Sequence, residues 1–484
     1  MSFVSELDPK PLWKRFDEIL AIPRPSTKEE AMRRYVLDLA GRKGLRHRQD
    51  ATGNFVVEKP ASPGQEGAPV VVLQGHLDMV TEKNEGVSHD FERDPIVPRR
   101  EDEWIKATGT TLGADNGIGV AAILAVMEAD DLVHGPLELL FTVDEETGLT
   151  GVVALDADTI ALRGRLLLNL DTEEEHAVTI GCAGGAITRI VLPLETAPVP
   201  EGSTVLDLRL KGLKGGHSGM EIHLQRGSAV QLLARALYAA GPVRLAGFQG
   251  GNKQNALARE ASARVVLPAG RRAAFAEAVE KEVAAIRKEY RPVEPDLRFE
   301  MGEGAAPGSV WTEDLGRRVL LLLNVLPHGV LAMSHDIKGL VETSVNLAAV
   351  SEDGNGVGVL LSTRSSIGSA LRALRRRLRA CAELAGAQVE ENEGYPAWKP
   401  NLESPLLRKF QKVHERVQGS EPELKAVHAG LECGILGEKF PGMDMISFGP
   451  IIEGAHSPDE RVQADSVGRF YKLLTETLAE LARG

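Results

Sequence analysis

Along the chain, four short apolar runs stand out: Val70 to Leu73, Leu137 to Val143, Leu166 to Leu170 and Met445 to Phe448. Each is too brief for an ordinary helix and is bounded by polar or turn residues, which is the pattern of strands buried on both faces of a parallel sheet. Between the first two, Ile118, Ala121, Ala122, Leu124, Ala125 and Met127 form a broad apolar stripe within Gly117 to Glu128. Strand, crossover helix and strand together make a βαβ unit, and such units build sheets with helices on both faces.

From about Ala186 to Val389 the pattern changes. Val205-Leu206-Asp207-Leu208-Arg209-Leu210 alternates as a half-buried strand does, helices are expected at Ala273 to Tyr290 and Gly368 to Leu384, and Gly/Pro punctuation becomes denser. The expected architecture is therefore an α/β catalytic domain, mostly parallel, made of residues 1–185 and 390–484, with an inserted α+β domain at 186–389. The basic run Arg372, Arg375, Arg376, Arg377 and Arg379 shares its helix with Ile367, Leu371, Leu374, Leu378 and Cys381 at helical spacing, so it reads as the solvated side of an amphipathic helix. Tyr395 to Pro400, with two prolines in six residues, reads as a linker back to the first domain.

Composition narrows the function classes. A chain of 484 residues exceeds what one core usually supports. Its 56 Lys+Arg against 69 Asp+Glu give a net charge of -13, which repels a polyanion, so nucleic acid is not an expected partner. The 3 cysteines, Cys182, Cys381 and Cys433, are scattered without C-x-x-C spacing, which indicates neither a disulfide framework nor a cysteine zinc site and fits a reducing compartment. Met1 to Lys14 interrupts its apolar residues with Glu6, Asp8, Pro9 and Pro11, and no run of about 18 apolar residues occurs anywhere, so neither an export signal nor a membrane span is expected. The expected location is the cytoplasm.

Chemistry gathers where the predicted strands end. Gly75-His76-Leu77-Asp78 follows the first strand; an imidazole there can bind a metal while a neighbouring carboxylate orients it, or the two can be a plain hydrogen-bonded pair. Asp115, in the glycine-rich turn Gly109 to Gly119 that opens the helix, suits a ligand or an N-cap; the turn lacks the lysine of a phosphate loop. Asp144-Glu145-Glu146 sets three carboxylates at one strand end, where they repel one another unless cations or protons intervene, although exposed acidic turns also look like this. Asp171 and His456 repeat the theme. Together these oxygen and nitrogen donors suit zinc, cobalt or manganese better than calcium.

The blocks Leu73 to Val80, Thr110 to Gly119, Asp144 to Gly151, Asn169 to Gly185, His428-Ala429-Gly430-Leu431-Glu432-Cys433-Gly434 and His456 to Arg461 resemble those of aminoacyl-histidine dipeptidases, within the two-metal aminoacylases, carboxypeptidases and dipeptidases. The resemblance implies two divalent metal ions, zinc first, with Asp115 bridging them, His76 and Asp171 completing one site, and Glu146 and His456 the other. It implies that Asp78 orients His76, and that Glu145 is the general base that deprotonates the attacking water and protonates the leaving amine. The inserted segment resembles the family's lid domain: His217 in Gly215-Gly216-His217-Ser218-Gly219 matches the oxyanion histidine, Asn255 a substrate-contacting asparagine, Arg364 the arginine that grips a substrate carboxylate, and Gly430 a substrate-loop glycine. Asn255 lacks the proline expected after it, and Ser228 stands where many relatives have asparagine. The implied activity is hydrolysis of unblocked dipeptides, Xaa-His types included, by a homodimer acting on small peptides. A deacylase, carboxypeptidase or tripeptidase would use the same ligands, and a non-catalytic binding protein could retain the fold.

Overall fold

The computed structural model describes residues 2–354 and 356–483. The chain divides into two compact units: Met1–Cys182 with Trp398–Ala426 and Leu431–Gly484, and Ala183–Ala397 with Val427–Gly430. No helix among the described residues is long and apolar enough to cross a membrane.

The first unit is built on an eight-stranded sheet ordered Arg46–Gln49, Phe55–Lys59, Leu137–Thr142, Val71–His76, Leu166–Asn169, Asp444–Ser447, Ala177–Cys182 and Glu423–Val427. The four central strands are parallel, and antiparallel neighbours flank them. Val71–His76 and Leu137–Thr142 are buried at every position, which is why they read as continuous apolar runs instead of alternating. The crossover helix Ala114–Glu128 is buried almost all round, so its apolar stripe covers most of its surface, and because Asp115 and Asn116 depart from helical dihedrals its regular part begins at Gly117, as the apolar stretch marks. Phe55 and Phe141, paired across antiparallel strands, stack with centroids 5.0 Å apart.

The second unit carries a nine-stranded antiparallel sheet whose longest hairpin joins Val341–Asp353 to Gly356–Ser365. The helices Ala229–Ala239, Arg272–Tyr290, Glu313–Val325 and Gly368–Leu384 share one core with it, to which they contribute Leu233, Val283, Leu323 and Leu378. In Gly368–Leu384 the leucines Leu371, Leu374 and Leu378 are buried and Arg372, Arg376 and Arg377 are exposed, as the amphipathic pattern requires. Each such leucine contributes about 1.5–3 kcal/mol by leaving water. Arg375 and Arg379 pair with Glu391 of the adjoining strand, so this basic run is partly neutralised by its own unit. Tyr395 does not lie in a free linker: its N–H donates to Gly185 O at 2.9 Å and its carbonyl accepts from Gly185 N at 3.1 Å.

Candidate active site

Parallel strands present their carboxyl ends on one edge, and the candidate ligands leave from that edge. His76 is the last residue of Val71–His76, Glu145 and Glu146 follow Leu137–Thr142, Asp171 follows Leu166–Asn169, and His456 lies beyond Asp444–Ser447. Register places His76 beside Thr142 and Gln74 beside Asn169. Asp115 belongs to the first turn of the crossover helix.

Asp115 lies between two imidazoles. Its Oδ1 is 3.1 Å from His76 Nε2, and its Oδ2 is 3.3 Å from His456 Nε2. Asp171 Oδ1 stands 3.3 Å from His76 Nε2, and Glu146 Oε2 stands 3.0 Å from His456 Nε2. Donor atoms of His76, Asp115 and Asp171 all fall within 4.8 Å of one another, as do those of Asp115, Glu146 and His456. His76 is buried, whereas the His456 side chain is 56% exposed and marks the open side of the cluster.

These side chains satisfy one another only in part. With its Nδ1–H directed at Asp78 Oδ1, 3.3 Å away, His76 turns an Nε2 lone pair towards two carboxylates, a repulsive arrangement unless a proton or a cation lies between them. Glu146 Oε1 is buried without a hydrogen-bond partner, and Asp171 Oδ1 faces His76 only outside hydrogen-bond geometry. Burial opposes charge on His76, but Asp171, Asp115 and Asp78 overcome it and hold the imidazole well above its usual pKa. Hydrogen bonds to Asp115 and Glu146 push His456 up to about 11. Burial, reinforced by Asp115 and Glu146 against the pull of His76, raises Asp171 to about 7. Burial also drives the Glu145 carboxyl well above its ordinary range; His76 opposes this, and Asp171, Glu146 and Glu432 add to it. The site therefore carries more negative charge than its side chains neutralise, and its nitrogen and oxygen donors fit a pair of divalent cations such as zinc, cobalt or manganese.

The surrounding shell fixes these groups. Buried Asp78 accepts from Ser26 Oγ at 2.8 Å, Glu145 N at 3.0 Å and Glu146 N at 3.2 Å, so one carboxylate holds both the imidazole and the acidic turn. Asp144, the first of the three successive acids, has φ +51° and accepts at its carboxylate from Thr147 and Thr150, which leaves Glu145 and Glu146 for the cluster. Sequence reasoning assigned no role to Arg24, which is buried and donates to the carbonyls of Leu77 at 2.9 Å, Asp78 at 2.6 Å and Gly113. It also missed the polar ladder behind the ligands: Gln74 Nε2 donates to Glu432 at 2.5 Å, Thr142 Oγ1 donates to the same oxygen at 2.8 Å, and Asn169 Nδ2 donates to Gln74 at 2.5 Å.

All four substrate-contact candidates lie in the second unit. His217 Nδ1 accepts from the N–H groups of Gly219 at 3.2 Å and Met220 at 3.0 Å, which places the ring proton on Nε2 and makes that nitrogen a donor. Arg364 donates from Nη1 to Tyr395 Oη at 3.0 Å, while its Nε is buried without a hydrogen-bond partner. Gly219 separates the two: a Cβ there would lie 3.2 Å from both Arg364 Nε and His217 Cε1. Asn255 enters through its backbone, whose carbonyl accepts from Ser218 N at 2.8 Å. Gly430 closes the short segment Val427–Gly430, which also brings in His428. His428 bonds Ser344 Oγ at 2.7 Å, and burial, with Arg364 nearby, pulls its pKa down to about 3.

An α/β unit that collects imidazoles and carboxylates around one shared aspartate at its parallel strand ends has the architecture of a two-cation metallohydrolase. Residues 72–480 match the profile of peptidase family M20/M25/M40. The chain is 41% identical over 484 residues to the cytosol non-specific dipeptidase of Escherichia coli (strain K12), covering 99% of each. It superposes with a TM-score of 0.91 on the crystal structure of aminoacylhistidine dipeptidase from Vibrio alginolyticus, at 43% identity, covering 99% of this chain and 98% of that one. Aminopeptidase PepT from Bacillus cereus shares the fold alone, at 16% identity and a TM-score of 0.58 over 98% of this chain and 99% of that one. This protein belongs to peptidase family M20/M25/M40.

Proposed function

We propose that this protein is a cytoplasmic dipeptidase that hydrolyses unblocked dipeptides, Xaa-His among them, with two divalent cations, zinc first and cobalt or manganese as alternatives. The carrying observation is Asp115, whose two oxygens face two different imidazoles at 3.1 and 3.3 Å, each imidazole having a further carboxylate beside it. The dipeptidase names of the Escherichia coli and Vibrio alginolyticus relatives, matched over nearly the whole chain, support the substrate class.

His76, Asp115 and Asp171 would hold one cation, and Asp115, Glu146 and His456 the other. Bound there, the cations supply Lewis acidity, polarising the scissile carbonyl and making water acidic enough to lose a proton near neutral pH. Asp78 keeps His76 Nδ1 engaged so that Nε2 points at the cluster. Glu145 takes the proton from the attacking water and returns it to the departing amine. His217, with its proton on Nε2, donates to the developing oxyanion. Arg364 pairs with the free carboxylate of the substrate, and Asn255 and Gly430 line the peptide. As part of the same proposal, the active species is a homodimer.

The test is a substrate panel of dipeptides, tripeptides, N-acylated amino acids and C-terminally amidated dipeptides, run on chelator-stripped protein before and after addition of zinc, cobalt or manganese. Metal-dependent turnover that strongly favours unblocked dipeptides, with at most residual turnover of the amidated ones, is expected. Full activity in rigorously metal-free protein, or a preference for acylated amino acids, would overturn the reading.

A further inference from the structure

The loop that carries His456 also holds the turn that carries Asp115. Glu460, four residues beyond His456 and only 2% exposed, accepts four backbone hydrogen bonds from that turn. Its Oε2 takes Leu112 N at 2.7 Å and Gly113 N at 2.8 Å, and its Oε1 takes Ala114 N at 2.7 Å and Asp115 N at 3.2 Å. An ordinary N-cap comes from the residue preceding the helix and satisfies one of these donors. Here the carboxylate arrives from more than three hundred residues away and satisfies all four.

The loop itself is tightly tied. Glu460 N donates to Ser457 O at 3.0 Å, Asp459 N to Ser457 Oγ at 3.2 Å, and Ser457 Oγ to Gly454 O at 2.7 Å, while Arg461–Gln463 continues as a strand paired with Trp104–Ala107. From the opposite side, Arg24 grips the carbonyl of Gly113. The turn is thus held through its amides by Glu460 and through a carbonyl by Arg24.

We propose that Glu460 is a positioning residue of the metal centre: by fastening the Asp115 turn to the His456 loop, it sets the separation at which one carboxylate faces both imidazoles. The proposal rests on the reading of Asp115 and His456 as metal ligands. In Glu460→Gln one acceptor oxygen becomes an NH2 group that confronts two backbone donors, so two amides are orphaned and the loops lose their common anchor.

The experiment titrates metal-stripped wild type, E460Q and E138Q with cobalt(II), following the visible absorption band, the calorimetric stoichiometry and the melting temperature of the metal-free protein. Glu138 is the control: it is fully buried and also accepts backbone amides, Arg163 N and Gly164 N at 2.9 Å, but it lies four residues, about 13 Å along its strand, from the ligand-bearing end. E460Q is expected to remain folded, to bind cobalt roughly 10–100-fold more weakly and to show an altered band, the scale of losing an outer support of a metal ligand. E138Q is expected to melt earlier with wild-type cobalt affinity and spectrum. Wild-type affinity and band shape in E460Q, or equal weakening in E138Q, would overturn the assignment. Should E460Q not fold, E460D keeps the charge but withdraws the carboxylate by one methylene; weakened cobalt binding in it supports the assignment and wild-type binding overturns it. A wild-type protein that took up no cobalt would instead refute the ligand reading beneath it.

Discussion

Asp78→Asn isolates the contribution of one buried charge to the centre. The carboxylate is 0% exposed and accepts from Ser26 Oγ at 2.8 Å, Glu145 N at 3.0 Å and Glu146 N at 3.2 Å, with His76 Nδ1 at 3.3 Å. An asparagine that keeps its carbonyl towards His76 and the Glu145 amide must aim its NH2 at Ser26 and the Glu146 amide. The serine hydroxyl can rotate to accept, but the Glu146 N–H cannot. One buried donor is left without a partner, at about 1–3 kcal/mol, and His76 loses its anionic support. Outer partners of metal-binding histidines are worth roughly 10–100-fold in affinity or activity. The expectation for D78N is therefore a loss of about 10–100-fold in kcat/KM on an unblocked dipeptide and a similar weakening of metal binding. Metal-free D78N should melt about 2–12 °C lower, at roughly 2–4 °C per kcal/mol for a unit of this size. The assay pairs dipeptide turnover with metal titration and calorimetric melting, with Ser26→Ala as an internal scale, since it removes one neutral donor and keeps the charge. Wild-type affinity and kcat/KM in D78N, or an S26A variant as damaged as D78N, would refute the reasoning.

Three further outcomes are expected. Arg364→Lys replaces a fork that can bind a carboxylate bidentately with a point charge, so KM for unblocked dipeptides should rise about tenfold or more while residual turnover of amidated dipeptides stays unchanged; equal effects on both would remove Arg364 from carboxylate recognition. Gly113→Ala places a Cβ at φ +71° and 2.5 Å from Arg24 Nη2, so urea unfolding should show a loss of at least about 1–2 kcal/mol, and a neutral result would contradict the described turn. His428 has its pKa lowered to about 3, below the unfolded value, so folding favours its neutral form: that contribution is complete above about pH 6.5 and is lost as pH falls towards 3, by up to about 1.4 kcal/mol per pH unit. Urea midpoints between pH 7 and 4 should accordingly fall less steeply in His428→Gln than in wild type, and parallel slopes would remove His428 from the acid response.

Strand runs such as Leu137–Thr142 were legible because burial on both faces demands continuous apolar residues, and most ligand candidates were legible because they stand just beyond such a run or at the start of the intervening helix, His456 lying farther past its run. What was not legible depends on contacts distant in sequence. Nothing local distinguishes Asp144 from Glu145 and Glu146; only the positive φ of Asp144 and its bonds to Thr147 and Thr150 do so. Arg24 and Glu460 are charged residues in loops without periodicity, and their partners lie 53 to 89 and 345 to 348 residues away. The turn ahead of Gly117 has no periodicity to read, because Asp115 and Asn116 depart from helical dihedrals and Gly113 before them is left-handed. The segment 427–430 joins the second unit through contacts such as His428 to Ser344, 84 residues apart, which a reading of local pattern does not reach.

The central claim, that one of two adjacent glutamates moves a proton while the other holds a cation, is tested most directly by metal analysis of purified Glu145→Gln and Glu146→Gln alongside dipeptide turnover. Glutamine at 145 keeps shape but cannot accept the water's proton, so near-normal metal content with kcat lowered by roughly a hundredfold or more is predicted. Glutamine at 146 removes an anionic ligand, so bound metal itself should fall, and excess metal should restore part of the rate. Wild-type kcat in E145Q would contradict the account, and loss of metal from E145Q alone would exchange the two roles.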